Sequence, residues 1–305
     1  MVFKIAVVGL GKIATDQHLP CIAGNADFKL VAGVSRNATL ENVPCFESLD
    51  DLISSGIAID AVALCTPPSV RLAMARQALD AGYHVLIEKP PTPTLGEMFA
   101  MIDYAKAKTR VLYAAWHSRY NQAVDEARRR LAGKHLSKMK ITWREDVKRW
   151  HPGQEWIWEP GGFGVFDPGI NALSIATAIL PDPIIVEAAE LGVPSNRAAP
   201  LTASLRMRSG SAPVSAEFDF LHQGPQQWDI VVDTDAGLLT LREGGRVLEY
   251  EGSIVEGIDQ EYPRLYERFA TLIVTRQSDV DARPLRLVAD AFLLASRHGT
   301  PEFNW

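Results

Sequence analysis

The sequence predicts two domains of different β architecture. Residues 1–118 read as a doubly wound parallel α/β sheet, and residues 119–305 as an α+β domain on an antiparallel sheet with one packed and one free face. Three observations carry this. Apolar, strand-length runs alternate with helical segments as far as about Ser118. Beyond it the runs switch to period-two alternation, joined by connections rich in Gly, Pro, Ser and Asp, as in the stretch 208–213. A length of 305 residues is also enough for two cores at about 150 residues each.

In the first half, Phe3–Val8 is apolar apart from Lys4, as in a strand covered on both faces. A Gly-punctuated turn leads into a helix from Lys12 to about Ala23. Phe28–Ser35 is a second strand, and Ser48–Ser54 a short helix that Ser48 caps, with Asp51 three residues on. Asp60–Cys65 is a strand. Pro68–Ala81 is a helix with Pro early and Gly82 as its stop. Tyr83–Ile87, Thr94–Lys108 and Val111–Ala115 continue as strand, helix and strand. Such alternation implies right-handed crossovers and helices on both faces of a parallel sheet.

In the second half, a helix at Gln122–Leu131 precedes long alternating strands at Ser137–Val147, Ile184–Gly192, Leu201–Arg208, Val214–Leu221, Trp228–Val232 and Leu238–Leu241. Helices near Gln260–Arg276 and Pro284–Arg297 close the chain.

Composition narrows the function classes. With 47% hydrophobic and 22% charged residues, the chain is neither disordered nor fibrous. Its net charge is −6, and its longest basic run, Arg128–Arg130, reads as a solvated helix face. No nucleic-acid partner is expected, because phosphate neutralisation needs clustered Lys and Arg. Cys21, Cys45 and Cys65 are widely spaced, which fits neither a disulfide framework nor a zinc site and suits a reducing, cytoplasmic setting. No secretory leader or 18-residue apolar span is visible, so no membrane association is expected.

Gly9-Leu-Gly-Lys-Ile-Ala14 follows the first strand and opens a helix. Gly9 allows the tight turn, Gly11 the approach of a pyrophosphate, and Ala14 close helix–strand packing. The helix start at Lys12 and Ile13 presents free N–H groups to phosphate. This is a Rossmann arrangement for NADP or NAD. The second strand ends in Ser35-Arg36 rather than in an acidic residue, and a guanidinium suits a 2′-phosphate, which favours NADP or dual use. Cys65-Thr66-Pro67-Pro68 lies at a strand's carboxyl end, where ligands sit in open sheets. Glu88-Lys89-Pro90 does so too, although a Lys at a strand end is more commonly a surface charge.

The GxGxxA turn, the TPP loop, the EKP tripeptide and a Gly-rich segment running into a helix that begins with Asp resemble the Gfo/Idh/MocA oxidoreductase family. The resemblance covers the whole chain and implies an N-terminal Rossmann domain and a C-terminal domain with an open, mostly antiparallel sheet. Ser35-Arg36, the EKP, Glu145-Asp-Val-Lys-Arg-Trp-His-Pro152 and Gly161-Gly-Phe-Gly-Val-Phe-Asp-Pro-Gly-Ile-Asn171 are most similar to the family's aldose 1-dehydrogenases, those of L-arabinose and D-galactose. Many members carry His four residues after the helix-start Asp. Here that position is Asn171, which is no general base near neutral pH.

Read from the residues, Asp167-Pro168 is also a good N-cap followed by Pro at N1. Asp167 and Asn171 share a helix face at i and i+4. With Lys89, they make a set able to bind and deprotonate a sugar hydroxyl. Glu145, Trp150 and His151 suit a sugar ring, although the surrounding tryptophans could equally be core. His117 and Arg119 follow the last parallel strand, at a cofactor or substrate edge. Of the other histidines only His18, soon after the Gly turn, invites a role; none shows metal-ligand spacing, and hydride transfer needs no metal.

The resemblance thus implies oxidation of an aldopyranose, L-arabinose or D-galactose, at C1 to the lactone. Asp167 is the expected base, Lys89 steadies the oxygen, Asn171 positions it, and Glu145 and His151 read distal hydroxyls. The same fold could instead serve a reductase of a ketone, imine or dihydrodiol, or a non-catalytic nicotinamide-binding regulator. A free sheet face suggests a homodimer or homotetramer.

Overall fold

The computed structural model describes residues 2–305. The chain forms two compact units, Met1–Trp116 with Glu261–Ala282, and His117–Gln260 with Arg283–Trp305. The expected division after residue 118 is therefore corrected in two respects: the boundary falls after Trp116, and the segment Glu261–Ala282 belongs with the first unit.

The first unit is a six-stranded parallel sheet. Its strands are β1 (Phe3–Val8), β2 (Phe28–Val34), β3 (Cys45–Phe46), β4 (Ala61–Leu64), β5 (His84–Glu88) and β6 (Leu112–Ala115), in the order β3-β2-β1-β4-β5-β6. Helices α1 (Leu19–Ala23), α2 (Leu49–Ser54), α3 (Pro68–Asp80) and α4 (Leu95–Ala107) connect them. Every residue of β4 is buried, as its uninterrupted apolar run required. Ser48 and Thr94 cap α2 and α4, accepting from the N–H groups of Asp51 and Glu97. The two-residue strand β3 is too short to show periodicity and escapes the sequence. The order of strands reverses direction between β1 and β4, so their carboxyl ends form the crevice where ligands bind in open α/β sheets.

Helix α8 (Glu261–Thr275) joins this unit through a buried stripe of Tyr262, Leu265, Tyr266, Phe269 and Ile273. Phe269 stacks on Phe28 at 5.6 Å and on Tyr113 at 5.9 Å, and Tyr266 meets Phe28 edge-on. Such pairs contribute about 0.5–1.5 kcal/mol each beyond simple burial. The chain then runs beside β6, where Leu112 N–H donates to Ser278 Oγ and Ala114 N–H to the Asp279 carbonyl, covering an otherwise open sheet edge.

The second unit carries nine strands: β7 (Leu136–Arg144), β8 (Ile184–Pro194), β9 (Thr202–Ser209), β10 (Ala212–Asp219), β11 (Gln227–Thr234), β12 (Gly237–Arg242), β13 (Val247–Tyr250), β14 (Ser253–Glu256) and β15 (Ala295–Thr300). Their order is β14-β13-β12-β11-β7-β10-β9-β8-β15, with β7–β10 and β8–β15 parallel and the other pairs antiparallel. Helices α5 (Gln122–Leu131), α7 (Phe166–Ile179) and α9 (Arg283–Leu294) contribute to the core. Outward positions are largely charged and paired, as Glu187 with Arg208 at 3.3 Å and Arg242 with Glu249 at 2.9 Å.

Three expectations change here. Strand β7 stops at Arg144 instead of reaching Val147, because Asp146 turns the chain and caps the short helix α6 (Val147–Trp150). The last helix ends at Leu294 rather than Arg297, because the open edge of β8 captures the next six residues as β15. Strands β13 and β14 were not expected. Among the described residues, no helix is long and apolar enough to cross a membrane.

Candidate active site

In the first unit, the Gly-rich turn is built for close approach. Gly9 has φ +92°, and a Cβ there would lie 2.9 Å from Thr66 N and Cγ2, so only glycine fits beneath the loop after β4. At Gly11 a Cβ would meet nothing within 4 Å, leaving the backbone open. Ala14 is fully buried against the sheet. The following helix is continuous over 12–23, but Ala14–His18 is a π-turn rather than the regular α-helix expected. That wider turn carries His18 into the interior. Lys12 is exposed and paired with Asp16, so its part in the turn is its backbone; Ile13 beside it is half-buried.

At the end of β2, Ser35 Oγ accepts from Asn37 N–H at 3.3 Å, shaping the loop. Arg36 stands exposed with no ion pair to a described residue. A dinucleotide fits these features: a glycine turn with no room for a Cβ, an open backbone beyond it and a solvent-facing guanidinium at the end of β2.

The two carboxyl-edge loops are tied together by Arg71, which the sequence reading passed over. It lies in α3 and is 3% exposed. Its Nε donates to the Thr66 carbonyl at 2.6 Å, and its Nη1 donates to the carbonyls of Glu88 and Pro90. The peptide bond joining Lys89 to Pro90 is cis. Cys65 N–H donates to the Val8 carbonyl at 2.8 Å, and Pro67 precedes the first turn of α3.

Glu88 is 1% exposed and anchors a buried cluster. Its Oε2 accepts from the Lys89 N–H at 2.8 Å, and its Oε1 accepts from Tyr262 O–H at 2.7 Å and lies 3.0 Å from His18 Nε2. His18 Nδ1 lies 2.7 Å from Tyr266 O–H. Complete burial opposes a charge on His18, yet neighbouring Cys65 and Glu88 outweigh it and push its pKa up to about 10. The backbone of Lys89 thus hangs from a carboxylate that an imidazolium and a phenol hold in place. His18 turns out to support the loop from below, and Tyr262 and Tyr266 could not have been found without knowing where α8 packs.

In the second unit, glycine again fixes the approach to the site. A Cβ on Gly162 would lie 2.4 Å from the Trp156 carbonyl oxygen, and one on Gly164, at φ +52°, 2.3 Å from that of Pro200. The chain then enters α7, whose first residue is Phe166. Asp167 lies one residue inside the helix and does not cap it, because the turn from Gly164 already brings Val165 into helical backbone. Its carboxylate is 3% exposed, with Oδ2 3.4 Å from His151 Nδ1. One turn on, Asn171 has a buried Oδ1 with no hydrogen-bond partner among the described residues. An orphaned buried amide oxygen is costly unless a ligand satisfies it.

Behind Asp167 runs a chain of polar groups. His151 Nε2 lies 3.0 Å from Glu145 Oε1, and Trp228 Nε1 donates to Glu145 Oε2 at 2.8 Å. Glu145 is 2% exposed, so it meets protein groups on both oxygens instead of presenting an open carboxylate to solvent. Trp150 packs on Trp228 at 5.2 Å, and Phe220 lies 5.4 Å from the His151 ring. Trp228 was not among the expected site residues; as the start of a strand, its indole reads as core. Arg119, expected at the substrate edge, instead donates Nε to the Ser174 carbonyl and Nη2 to Thr177 Oγ1, both at 2.9 Å, and so buttresses α7. His117 opens a short 3₁₀ turn, its Nδ1 3.3 Å from Ser118 Oγ. The described residues contain no cluster able to hold a metal ion.

Comparison with known proteins agrees with this construction. Residues 3–115 match the Gfo/Idh/MocA oxidoreductase family, described as having an NAD-binding Rossmann fold. The chain is 45% identical over 306 residues to galactose 1-dehydrogenase of Pseudomonas fluorescens, covering 98% of each. A crystal structure of a D-galactose 1-dehydrogenase from Rhizobium etli superposes with a TM-score of 0.95 at 48% identity, over 99% of this chain and 98% of that one. A 3-ketoreductase from Actinomadura kijaniata, solved with NADP and TDP-benzene, shares the fold at 17% identity, with a TM-score of 0.85 over 99% of this chain and 100% of that one. The family match over residues 3–115 and 45% identity across 98% of the chain to the Pseudomonas fluorescens enzyme place the chain in the Gfo/Idh/MocA oxidoreductase family.

Proposed function

We propose that this protein oxidises an aldopyranose at C1 to the corresponding lactone, with D-galactose and L-arabinose as substrates and NADP or NAD as cofactor. The observation that carries the reading is the pair on α7: a buried carboxylate, Asp167, one turn from the orphaned amide oxygen of Asn171. A sugar diol offers a proton for the carboxylate to remove and a hydroxyl to donate to the unpaired amide oxygen of Asn171. The two relatives named as galactose 1-dehydrogenases support the substrate class.

Asp167 takes the proton of the C1 hydroxyl as the C1–H bond breaks, and the ring-oxygen lone pair supports the carbon that loses it. Bound oxidised nicotinamide supplies the hydride acceptor. Lys89 stabilises the negative charge developing on O1. Asn171 Oδ1 accepts from a neighbouring hydroxyl and sets the ring's orientation. Trp150 offers aromatic surface to the sugar's C–H face. D-Galactose and L-arabinose share their C2–C4 configuration, so a pocket reading those centres takes both.

Nicotinamide reduction, followed by ultraviolet absorbance with D-galactose, L-arabinose, D-glucose and myo-inositol, tests this. Turnover with the first two and little with glucose is expected; no reduction with any of them refutes the assignment. Arg36→Ala addresses the cofactor. A charge-assisted bond to phosphate contributes about 1.5–3 kcal/mol, so KM for NADP should rise about 10- to 100-fold while KM for NAD stays within about twofold. An equal rise for both cofactors removes the 2′-phosphate contact from the scheme.

A further inference from the structure

The sequence leaves Asp167 without the histidine that position 171 could have provided, yet the second unit sets an imidazole against it from another element. We infer that His151 is the positioning residue for the Asp167 base, and that Glu145 and Trp228 serve the sugar only through it. This rests on the proposed sugar oxidation and assigns different roles to residues that could otherwise be read as hydroxyl binders.

The geometry is a row of four groups. Trp228 Nε1–H donates to Glu145 Oε2, Glu145 Oε1 faces His151 Nε2 at 3.0 Å, and His151 Nδ1 faces Asp167 Oδ2 at 3.4 Å. Both groups flanking the ring here are carboxylate oxygens, which accept, and the Gln154 amide oxygen, 3.4 Å from Nδ1, accepts as well. Such a surround calls for a ring that donates from both nitrogens. The Phe220 ring beside the imidazole restricts its tilt. Glu145 and Asp167 are each at least 97% buried, so the row is shielded from competing water. Facing His151 across this short distance, the Asp167 carboxylate is held in one orientation toward the C1 hydroxyl. A shift of about 1 Å in such a group can lower the rate about 100-fold.

Steady-state kinetics with D-galactose on His151→Gln, Glu145→Gln and the double variant test the inference. Each single change should lower kcat about 10- to 100-fold with KM within about threefold, and the double variant should be no slower than His151→Gln alone, because Glu145 acts through the ring. Penalties that multiply in the double variant, or that fall on KM with kcat retained, mean that both residues bind hydroxyls and overturn the inference. A second measurement needs no turnover. Wild-type protein labelled with ¹⁵N-histidine should show hydrogen-bonded protons on both ring nitrogens of His151, assigned by their loss in His151→Gln. A ring carrying one proton overturns the inference. If wild type oxidises no aldose, the substrate assignment falls and the NMR result alone decides the role of the ring.

Discussion

Asp167→Asn is expected to lower kcat for aldose oxidation by about 10²–10⁴-fold, the range that a positioned general base contributes. The substitution is nearly isosteric. It keeps an amide oxygen able to face His151 Nδ1, which lies 3.4 Å from Asp167 Oδ2, and it leaves the Gly164–Val165 turn into α7 untouched. The fold and KM for D-galactose should therefore change little, and the melting temperature should stay within about 3 °C. What is lost is the ability to remove a proton. Because the residue is 3% exposed, bulk water has poor access with which to replace it. Retention of more than about a tenth of wild-type kcat, measured with saturating cofactor, would move the base to Lys89. A collapse of KM with kcat preserved would make Asp167 a hydroxyl binder only. The matching Asn171→Ala change should instead act mainly on KM, since its orphaned Oδ1 offers an acceptor and no basic group.

How much of this was legible in the chain depends on the range of the interaction. Gly9 and Gly11 announce themselves because one turn needs both, and the parallel sheet with right-handed crossovers follows from the alternating apolar runs. The side chains of Asp167 and Asn171 sit on one helix face because i and i+4 must. What sequence could not give is which distant segments meet. Tyr262 reaches Glu88 across 174 residues, and nothing in the amphipathic stripe of α8 says which sheet it covers. The same blindness turned Arg119 into a substrate contact and Glu145 into an open carboxylate. Local pattern gives a side chain's chemistry and face, but its remaining hydrogen-bond capacity depends on neighbours supplied by the fold. The edge strand β15 is the same lesson for backbone: its residues continue a helical pattern, and only the unpaired edge of β8 makes a strand the better choice.

Arg71→Met should be the most destabilising single change in the first unit, by about 3–5 kcal/mol. Nothing in the sequence around Arg71 singles it out from the rest of its helix. In the structure its guanidinium is almost wholly buried and serves three carbonyls, those of Thr66, Glu88 and Pro90. Hydrogen bonds from a charged donor contribute about 1.5–3 kcal/mol each, and methionine fills the volume while satisfying none of the acceptors. For a chain of this size the loss corresponds to a fall in melting temperature of about 10 °C, readable by circular dichroism or calorimetry. Activity should fall further than stability accounts for. The loops released are the one that closes over Gly9 and the one that carries Lys89, so cofactor KM should rise and kcat should drop even at temperatures where the variant is fully folded. Arg71→Lys separates the two effects: it keeps the charge but cannot fork to both loops, so it should recover part of the melting temperature while leaving Lys89 misplaced and kcat low. A methionine variant that melts within about 2 °C of wild type would show that the loops are held chiefly by Glu88, His18 and Tyr262. The corresponding loss should then appear in Tyr262→Phe, which removes one donor from Glu88 Oε1 and touches no backbone carbonyl of either loop.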